Sequence, residues 1–336
     1  MSYDVAIIGA GFVGATLAKH LSSSYQVVTL DVNPDPPLLK QVKNVEHRIC
    51  DIRHHREIKD KIGKPKVIVH TAIIQIPAIN EMKDYAYEVN VLGTHNMCKI
   101  TKETNEVLGL ILCGSWHVFG ERGYKTTVDV SFGYHPDKVE ERARLYVISK
   151  MIQEGIVRFY NSVVNEKTYA VVRLGTVLGE NMPEKTAANI FIKNGQQGKP
   201  ITPFRHTMYR PMLYVAVDDV IRNLGLYIDK IIKGNLRIKS SASNVYNLFY
   251  PEPITILELG EFIRDAIILH TQGEISPPLK IVDKRLPILF DRNEKQTLHV
   301  DITDTVDFFG IKKLRSPKET IFEIVKKRMT RARRKD

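Results

Sequence analysis

Cysteine is scarce in this sequence: three residues of 336, Cys50, Cys98 and Cys113, lie scattered in apolar segments. An odd, scattered set excludes a disulfide framework and lacks the paired spacing of a zinc site, so we expect reduced core thiols and no metal site. No apolar run approaches the roughly 20 residues that span a bilayer. The first residues enter an apolar strand directly, without the charged region or cleavage site of a signal peptide. These absences predict a cytoplasmic protein with no membrane segment.

Acidic residues are outnumbered, and the net charge of +11 is spread unevenly. The last eleven residues hold seven Lys or Arg and one Asp. A basic tail can bind nucleic acid or anionic lipid, but a solvated chain end is the simpler interpretation. We therefore predict that the basic tail, residues 326–336, does not bind nucleic acid.

Short β-branched runs alternate with helical patterns through the first half of the chain. Residues 5–8, 26–30, 67–69, 110–112 and 169–173 have the composition of buried strands. Residues 13–21 and 85–104 between them have helical periodicity. Such alternation predicts an α/β protein with a Rossmann-type, doubly wound parallel sheet and right-handed crossovers.

The alternation stops after Gly179, where residues 180–212 are rich in Pro, Gly, Asn and Lys. Strand and helix patterns return over residues 213–250, and helical segments separated by Pro-rich loops follow from residue 251. We predict a cofactor-binding Rossmann domain made of residues 1–179 and 213–250. A smaller, discontinuous C-terminal substrate domain would comprise residues 180–212 and 251–325, before the basic tail.

A glycine-rich segment, Gly9-Ala10-Gly11-Phe12-Val13-Gly14, follows the first strand and opens the first helix. In a GxGxxG turn the first glycine allows the tight bend, the second lets the backbone approach a pyrophosphate, and the third lets helix pack on strand. The first helical turn, with Phe12 and Val13, presents unpaired N–H groups and the positive end of the helix dipole to the phosphates. The segment predicts a dinucleotide site.

An acidic residue, Asp31, closes the second predicted strand. At this position a carboxylate accepts hydrogen bonds from both ribose hydroxyls of the dinucleotide and repels a 2′-phosphate. We therefore predict NAD rather than NADP as the cofactor.

Tyr146 and Lys150 are spaced one helical turn apart, on one helix face. A phenol with its pKa lowered from ~10 to ~7 would serve as a base, a change of about 4 kcal/mol. An ammonium at ~4 Å in an effective dielectric of ~20 supplies about that energy, so we expect Lys150 to lower the pKa of Tyr146. Ser115 follows the strand 110–112, at the sheet edge where ligands of α/β proteins bind. These three residues are the predicted catalytic set.

Together these motifs resemble the extended short-chain dehydrogenase/reductases, the superfamily of nucleotide-sugar epimerases and dehydratases. The resemblance covers most of the chain. Five further segments match motifs of the family, whose patterns are given in parentheses where they have one: Cys50-Asp51-Ile52, Val69-His70-Thr71-Ala72 (VIHLAA), Asn90-Val91-Leu92-Gly93-Thr94 (NVxGT), residues 114–120 (SSxxVYG) and Val217-Asp218-Asp219-Val220 (VDDV). It implies that Asp51 contacts adenine. The further cofactor contacts that it implies are Ile52, Thr71, Ala72, Asn90, Tyr146 and Lys150.

Two departures from the family pattern bear on the substrate. The 4,6-dehydratases of the family have an Asp-Glu pair directly after the Ser or Thr, where this chain has Trp116 and His117. Dehydration needs an acid to protonate the leaving hydroxyl, so the absence of this pair disfavours a dehydratase. His117 could serve as that acid or bind substrate, but it could equally be a packed loop histidine. Nucleotide-sugar enzymes commonly have Arg-Tyr-Phe-Asn after the next strand, and here the last position is Thr176. Candidates for binding a diphosphate remain in three arginines, Arg205, Arg210 and Arg292.

Three functions fit these residues. The first is an NAD-dependent nucleotide-sugar epimerase, acting at sugar C4 through a keto intermediate while NAD stays bound. The second is an NAD-dependent dehydrogenase or reductase of a non-nucleotide alcohol or ketone, favoured by Thr176 and the apolar run 73–79. The third is a cofactor-binding protein without turnover, which the intact Ser115, Tyr146 and Lys150 argue against.

The resemblance also implies a homodimer, because relatives pair through two helices that correspond here to residues 85–104 and 139–160. The apolar residues expected at this interface are Tyr85, Val89, Leu92, Met97, Val147, Met151 and Ile156.

Overall fold

The computed structural model describes residues 2–236 and 244–332, and the chain divides into two compact units. The first unit comprises Met1–Val118, Gly133–Arg173 and Ile221–Asn247, and the second comprises Phe119–Phe132, Leu174–Val220 and Leu248–Asp336. These boundaries differ from the predicted ones, since residues 119–132, 174–179, 213–220 and 248–250 lie in the second unit. The assignment of one domain to cofactor and the other to substrate stays a prediction.

A seven-stranded sheet forms the centre of the first unit. Its strands are β1 Ser2–Ile8, β2 Val27–Asp31, β3 Val45–Ile49, β4 Lys64–His70, β5 Gly109–Ser115, β6 Thr168–Leu174 and β10 Val245–Leu248. They stand in the order β10-β6-β5-β4-β1-β2-β3, the order of a Rossmann sheet with one further strand at the β6 edge. Neighbours from β3 to β5 pair in parallel. The predicted α/β fold with a doubly wound sheet is confirmed.

The buried strands explain why this sheet forms. Every residue of β5 and β6 is buried. Strands covered on both faces of a parallel sheet consist mostly of apolar residues, which is the pattern of these two segments. Strand β3 was missed by the sequence analysis. Its residues Val45–Ile49 include Glu46, His47 and Arg48 and are only partly buried, as expected for a strand at the sheet edge.

The helices of the first unit pack around this sheet. They are α1 Phe12–Leu21, α2 His55–Lys61, α3 Ala78–Glu81, α4 Lys83–Tyr87, α5 Gly93–Glu103, α6 Arg144–Val163 and the greater part of α8 Val217–Ile232. The predicted helix 85–104 is interrupted, because a π-helical turn, Glu88–Leu92, separates α4 from α5. The predicted helix 139–160 begins five residues later, after the short 3₁₀ turns Pro136–Lys138 and Glu141–Ala143.

Three of the residues expected at a dimer interface are in the protein core. Val89, Met97 and Val147 are at most 7% exposed within the single chain, so their assignment to an interface was wrong. The helical period alone did not distinguish the face of each helix that packs on the sheet from the face that points outward.

The second unit contains small sheets and a group of helices. Strands β7 Thr176–Leu178 and β9 Tyr214–Ala216 pair in parallel, and β8 Pro211–Met212 pairs antiparallel with β11 Ile254–Thr255. Because β7 and β9 pair with each other, residues 175–179 leave the large sheet. The helices are α7 Ala187–Gln196, α9 Ile256–His270, α10 Glu294–Thr297, α11 Thr303–Phe309 and α12 Pro317–Ala332, with α9 packed against α7 and α12.

The last helix, α12, extends further than the sequence suggests. It continues to Ala332, so residues 326–332 of the predicted basic tail are helical. Arg328 donates hydrogen bonds to the Asn189 side chain and to the Glu180 carbonyl, and Met329 is 8% exposed. Arg328 and Met329 of the tail are therefore packed, and residues 333–336 lie outside the described residues. Within the described residues, no helix has the length and apolar character needed to cross a membrane.

Candidate active site

The glycine-rich turn has different requirements at each of its three glycines. Gly9 adopts φ +97°, a conformation that favours glycine. A Cβ at Gly14 would lie 1.9 Å from the Gly9 carbonyl oxygen, so a side chain is excluded there by the protein itself. A Cβ at Gly11 would meet no protein atom within 4 Å. Gly9 and Gly14 are therefore needed by the fold, whereas Gly11 borders open space, as expected for a backbone that a pyrophosphate approaches.

The N-terminus of α1 can accept an anion. Gly11 is the N-cap residue, and no side chain caps the first-turn N–H groups, to which Phe12 and Val13 contribute. Neither Phe12 nor Val13 is fully buried. Uncapped N–H groups and the helix dipole fit the phosphates of a dinucleotide.

Asp31 at the end of β2 lies beside this turn. Its Oδ2 accepts a hydrogen bond from the Ala10 N–H at 2.6 Å, and its Oδ1 accepts one from the Asn33 N–H at 2.8 Å. Each carboxylate oxygen keeps a second lone pair, and the side chain is half-buried. The geometry fits the predicted role of accepting hydrogen bonds from ribose hydroxyls.

Thr71 and Ala72 follow β4 and lie against the same turn. The Thr71 hydroxyl lies 2.9 Å from the carbonyl oxygens of both Ile8 and Gly9. The Ala72 backbone nitrogen would be 2.7 Å from a Cβ at Gly9. These residues hold the turn in place, and their direct contact with the cofactor stays a prediction.

Asp51, the predicted adenine contact, is ion-paired. Both of its oxygens accept hydrogen bonds from the Arg53 guanidinium, the closest at 2.7 Å, and the same guanidinium reaches Glu88 at 2.6 Å and lies over the Tyr85 ring. Arg53 lowers the pKa of Asp51 through hydrogen bonds and charge that outweigh the effect of burial, which alone would raise it. Ile52 is buried, and its side chain would meet a Cβ at Gly93. Arg53 was not predicted from the sequence as a partner of Asp51, although it follows Asp51 by only two residues.

Asn90 lies in the π-helical turn with its side chain fully buried. Its Oδ1 accepts from the Ile74 N–H at 2.7 Å, and its Nδ2 donates to the Ile74 carbonyl at 3.0 Å and to Ser149 Oγ at 3.2 Å. Ser149 in turn donates to the Tyr146 carbonyl at 3.0 Å. Asn90 therefore connects the segment after β4 to α6, and a contact between Asn90 and the cofactor stays a prediction.

The predicted catalytic residues come together at the end of β5. Ser115 is the last residue of that strand and lies close enough to Tyr146 on α6 to influence the pKa of its phenol. Lys150 lies one turn later on α6 and donates from Nζ to the Cys113 carbonyl at 2.8 Å. Ser115 and Lys150 are 4% and 3% exposed, whereas Tyr146 is half-buried.

Burial dominates the ionisation of both catalytic α6 side chains. It raises the pKa of Tyr146, and the hydrogen bond with Ser115 opposes this only in part. It lowers the pKa of Lys150 to about 8. The expected fall in the Tyr146 pKa is therefore wrong for the chain alone, because burial of the phenol outweighs the groups that would lower its pKa.

A buried hydrogen-bond network lies near Lys150 and was not predicted from the sequence. His70 Nε2 lies 2.9 Å from Thr94 Oγ1, to which Gln153 Nε2 also donates at 2.8 Å. Burial and the charge of Lys150 lower the pKa of His70 to about 3. A neutral His70 adds no second positive charge beside Lys150.

His117 lies beside Ser115 and Tyr146. Its Nδ1 is 3.2 Å from Ser115 Oγ, and its backbone N–H donates to the same oxygen at 3.3 Å. Its ring meets that of Tyr146 edge to face, with 6.0 Å between centroids. The structure thus places His117 at the catalytic group, among the residues of the first unit.

The three predicted diphosphate arginines all lie in the second unit. Arg210 is buried and forms an ion pair with the fully buried Glu121. Arg205 forms an exposed ion pair with Asp283 at 2.9 Å. Arg292 is exposed. Substrate binding by these residues stays a prediction.

Comparisons with known proteins agree with this geometry. The model of the NAD-dependent epimerase/dehydratase family matches residues 5–238. UDP-glucose 4-epimerase from Thermotoga maritima, solved with UDP-glucose, superposes with a TM-score of 0.76 at 18% identity, over 98% of this chain and 99% of that one. The UDP-glucose 4-epimerase of Thermus thermophilus, solved as a complex with NAD, gives the same four values.

A third similar structure has another activity. The dTDP-glucose 4,6-dehydratase of Bacillus anthracis, solved with NAD, has a TM-score of 0.75 at 15% identity, over 99% of this chain and 98% of that one. At such identities the superpositions establish the fold, and no curated protein sequence matches the chain at a significant level. The family match covers more than half of the sequence. The chain therefore belongs to the NAD-dependent epimerase/dehydratase family, as an enzyme of the extended short-chain dehydrogenase/reductase type with NAD as its cofactor.

Proposed function

We propose that the protein is a nucleotide-sugar epimerase that inverts the configuration at sugar C4 while NAD stays bound. The observation that supports this most is the position of Ser115 at the end of β5, close to Tyr146 on α6, with Lys150 one helical turn beyond Tyr146. The similar structures include two UDP-glucose 4-epimerases, one solved with UDP-glucose and one with NAD.

Each catalytic side chain has a distinct task in this proposal. Tyr146, once ionised, takes the proton of the C4 hydroxyl at its phenol oxygen, and it returns that proton when the hydroxyl is restored. Ser115 donates a hydrogen bond to the reacting oxygen and fixes its distance from the phenol. The bound NAD supplies the hydride acceptor and donor. The low exposure of Ser115 and Lys150 keeps water away from the keto intermediate.

The residues suited to hold NAD are those of the glycine turn and its neighbours. The uncapped start of α1 would bind the pyrophosphate, and Asp31 would bind the ribose hydroxyls. Lys150 would contact the second ribose in addition to its bond to the Cys113 carbonyl. For the sugar nucleotide, the arginines of the second unit supply positive charge for a diphosphate.

Two observations favour a second candidate, a dehydrogenase or reductase of a non-nucleotide alcohol or ketone. Arg205 and Arg210 already form ion pairs with Asp283 and Glu121, so their charges are partly neutralised. Ile76 packs with Tyr146 against one apolar cluster, so the surroundings of the phenol include aliphatic carbon. An apolar substrate would suit such surroundings.

The deciding experiment identifies the cofactor and the reaction together. The purified protein is denatured, the released nucleotide is identified, and the native protein is incubated with UDP-glucose, UDP-galactose and UDP-glucuronic acid without added NAD. Retained NAD and interconversion of a sugar nucleotide without net NADH formation are expected. Tyr146→Phe serves as the control, with NAD retained and turnover lost. Net NADH formation with a simple alcohol, and none of these interconversions, would establish the second candidate instead.

We also propose that the enzyme is a cytoplasmic homodimer. The three cysteines are all unpaired and buried, which suits a reducing compartment. Apolar side chains exposed on α6, Phe159 foremost among them, support self-association.

A further inference from the structure

The Thr94 hydroxyl joins α5 to β4 and α6, and its hydrogen bonds fix the tautomer of His70. Thr94 Oγ1 donates to the Asn90 carbonyl at 2.6 Å, so its one proton is committed. Its two lone pairs remain for the Gln153 amide nitrogen at 2.8 Å and for His70 Nε2 at 2.9 Å, so Nε2 carries a hydrogen. Burial and the charge of Lys150 lower the pKa of His70 to about 3. The ring is therefore neutral, and its Nδ1 is a bare acceptor.

Two acceptors of this network have no hydrogen-bond partner within the described residues. They are His70 Nδ1 and Gln153 Oε1, on side chains that are both 0% exposed. A buried acceptor without a donor loses the hydration that it had in the unfolded chain, which is unfavourable. Each acceptor is one ring or one amide width from a nitrogen that contacts the Thr94 hydroxyl. Both acceptors therefore surround the same hydroxyl and need two further donated protons.

Lys150 lies beside these acceptors. It is three residues before Gln153 on α6, a spacing that places the two side chains on one face of the helix. Its Nζ donates to the Cys113 carbonyl at 2.8 Å, and the preceding residue, Leu112, pairs in register with His70 on the neighbouring strand. Neighbouring strands lie about 5 Å apart. The helix spacing and the strand register thus independently bring Lys150 close to Gln153 and His70.

We propose that one buried water bridges the Lys150 ammonium to His70 Nδ1 and Gln153 Oε1, which makes His70 a positioning residue for Lys150. The water accepts one ammonium proton and donates its own two protons to the two acceptors, the three bonds typical of a buried water. Of the three ammonium protons, the Cys113 carbonyl takes one and the water takes one, which leaves the third for the cofactor ribose. This inference rests on the proposed function, in which Lys150 is the cation beside Tyr146.

The bridge favours the charged form of Lys150. Burial lowers the pKa of this side chain to about 8. A hydrogen bond from an ammonium is charge-assisted, so it stabilises the ammonium relative to the amine and opposes the effect of burial. The water provides such a bond through two neutral acceptors, without placing a second charge in the site. Lys150 then remains a cation when Tyr146 ionises.

Few other charges compete for Lys150. The titratable groups on the elements around it include Cys113 on β5, Cys98 on α5, His117 on the turn after β5, and Tyr146 and Glu154 on α6. Burial raises the pKa of both thiols, that of Cys113 to about 12, so both are uncharged. Burial also raises the pKa of Tyr146. Glu154, one turn after Lys150, is paired with Arg173 on β6 at 2.6 Å.

The test replaces His70 with two residues that each keep one of its ring nitrogens in function. His70→Gln keeps a donor near Nε2 for Thr94 but removes the acceptor at Nδ1. His70→Asn keeps an acceptor near Nδ1 but loses the bond to Thr94. We expect His70→Gln to lower the pKa of Lys150 by about one unit or more, a tenfold change or more in its ionisation constant. His70→Asn should change it by less than half as much.

NMR of lysine labelled with ¹³C at Cε reports this pKa in NAD-loaded protein, and Lys150→Met identifies the resonance. A merely structural His70 predicts the reverse order, because His70→Asn is the variant that breaks the bond to Thr94. His70→Gln would then titrate like the unaltered protein.

Two measurements need no substitution. In NAD-loaded protein with ¹⁵N-labelled histidine, His70 should be the neutral Nε2–H tautomer over the whole pH range in which Lys150 titrates. A crystal structure of the same protein should show one water within hydrogen-bonding distance of Lys150 Nζ, His70 Nδ1 and Gln153 Oε1. These measurements decide if either His70 variant loses NAD or its fold.

The outcomes separate this inference from the proposed function. An Nδ1–H tautomer of His70, a crystal structure without this water, or a Lys150 pKa that falls in His70→Asn but not in His70→Gln would each overturn the bridge. If none of the UDP-sugars is converted but His70→Gln lowers the Lys150 pKa, the substrate proposal fails and the bridge stands. If a UDP-sugar is converted and Lys150 titrates alike in all three proteins, the bridge fails and the proposed function stands.

Discussion

The Ala10 N–H donates to the Asp31 carboxylate at 2.6 Å, which joins the glycine turn to the end of β2. The residue between the first two glycines thus fixes the orientation of the acid predicted to select the cofactor. A carboxylate already oriented by the backbone loses little freedom when it binds ribose hydroxyls. Asp31 is therefore both a structural contact of the turn and the predicted determinant for NAD.

Replacing Asp31 should weaken the preference for NAD over NADP. Asp31→Asn keeps an oxygen that can accept from Ala10 but removes the charge that repels a 2′-phosphate. We expect the ratio of NADP to NAD dissociation constants to fall by about tenfold or more, equivalent to about 1.4 kcal/mol. Titration calorimetry of apoprotein with both cofactors measures this. The exposed Asp35→Asn is the control, and equal or tighter binding of NADP by the unaltered protein would refute the assignment.

The glycine turn offers a matched pair of substitutions. Gly14→Ala places a methyl group where the Gly9 carbonyl lies, 1.9 Å away, so the free energy of unfolding should fall by about 1–3 kcal/mol or more. Gly11→Ala meets no protein atom and should change stability by less than about 1 kcal/mol. We expect Gly11→Ala nevertheless to weaken NAD binding at least tenfold. Urea unfolding and NAD titration distinguish the two effects, and full NAD affinity in Gly11→Ala would place the pyrophosphate elsewhere.

Local patterns in the sequence predicted the geometry of the glycine turn and the position of Asp31 beside it. Gly9, Gly11 and Gly14 have positions that the GxGxxG mechanism explains, and Asp31 ends its strand as predicted. Such features depend on neighbours within one strand–turn–helix unit, so the order of residues is sufficient to predict them. The same is true of Tyr146 and Lys150, whose spacing of four residues places them on one helix face.

Features that depend on distant parts of the chain were not predictable. The Asp51–Arg53–Glu88 group brings together residues 35 positions apart, and no periodicity marks it. The sign of the Tyr146 pKa change depends on how deeply the phenol is buried. Sequence spacing predicted that Tyr146 and Lys150 share a helix face, but not the desolvation of either side chain.

Lys150 should make stability depend on pH in a defined window. Burial lowers its pKa from 10.5 to about 8 in the folded chain, so between these values the unfolded chain binds more protons. The free energy of unfolding due to this group therefore rises from about pH 8 to about pH 10.5, by about 3 kcal/mol. Lys150→Met should lack this rise, whereas the exposed Lys43→Met should keep it. Parallel curves for Lys150→Met and the unaltered protein from urea unfolding would contradict the assignment.

The ion pair between Glu154 on α6 and Arg173 on β6 should matter strongly for stability. The two side chains are 0% and 1% exposed and lie 2.6 Å apart. Glu154→Gln removes the countercharge that Glu154 provides to the buried guanidinium, so we expect a loss of about 3–5 kcal/mol. The control, Glu141→Gln, breaks an exposed pair with Arg144 and should cost less than about 1 kcal/mol. Comparable midpoints of chemical unfolding for the two variants would show that Arg173 is compensated by other groups.

A homodimer should form through the outward face of α6. Phe159 is 60% exposed there, and Leu145, Ile152 and Val163 on the same helix are at least 37% exposed. Tyr87 and Leu92 before α5 add exposed apolar area. We expect a dimer at micromolar concentration by light scattering, and a monomer after Phe159→Glu, because a buried unpaired charge opposes association.

The control for this experiment is Leu269→Glu, at a leucine of α9 that is 59% exposed. It should leave the dimer intact. A monomeric unaltered protein, or a dimer that only Leu269→Glu dissociates, would refute the α6 interface.

The π-helical turn at Glu88–Leu92 inserts one residue between α4 and α5. Because each residue of an α-helix rotates the chain by about 100°, the side chains of α4 are rotated by about 100° relative to those of α5, compared with an uninterrupted helix. The insertion lets Asn90 face Ile74 and Ser149 while Thr94 in the next turn faces His70. Deleting one residue here would restore a continuous α-helix, but it would rotate the residues that precede the deletion away from Ile74 and Ser149. The number of residues in this helix therefore matters for the site, because it determines whether Asn90 and Thr94 both reach their partners.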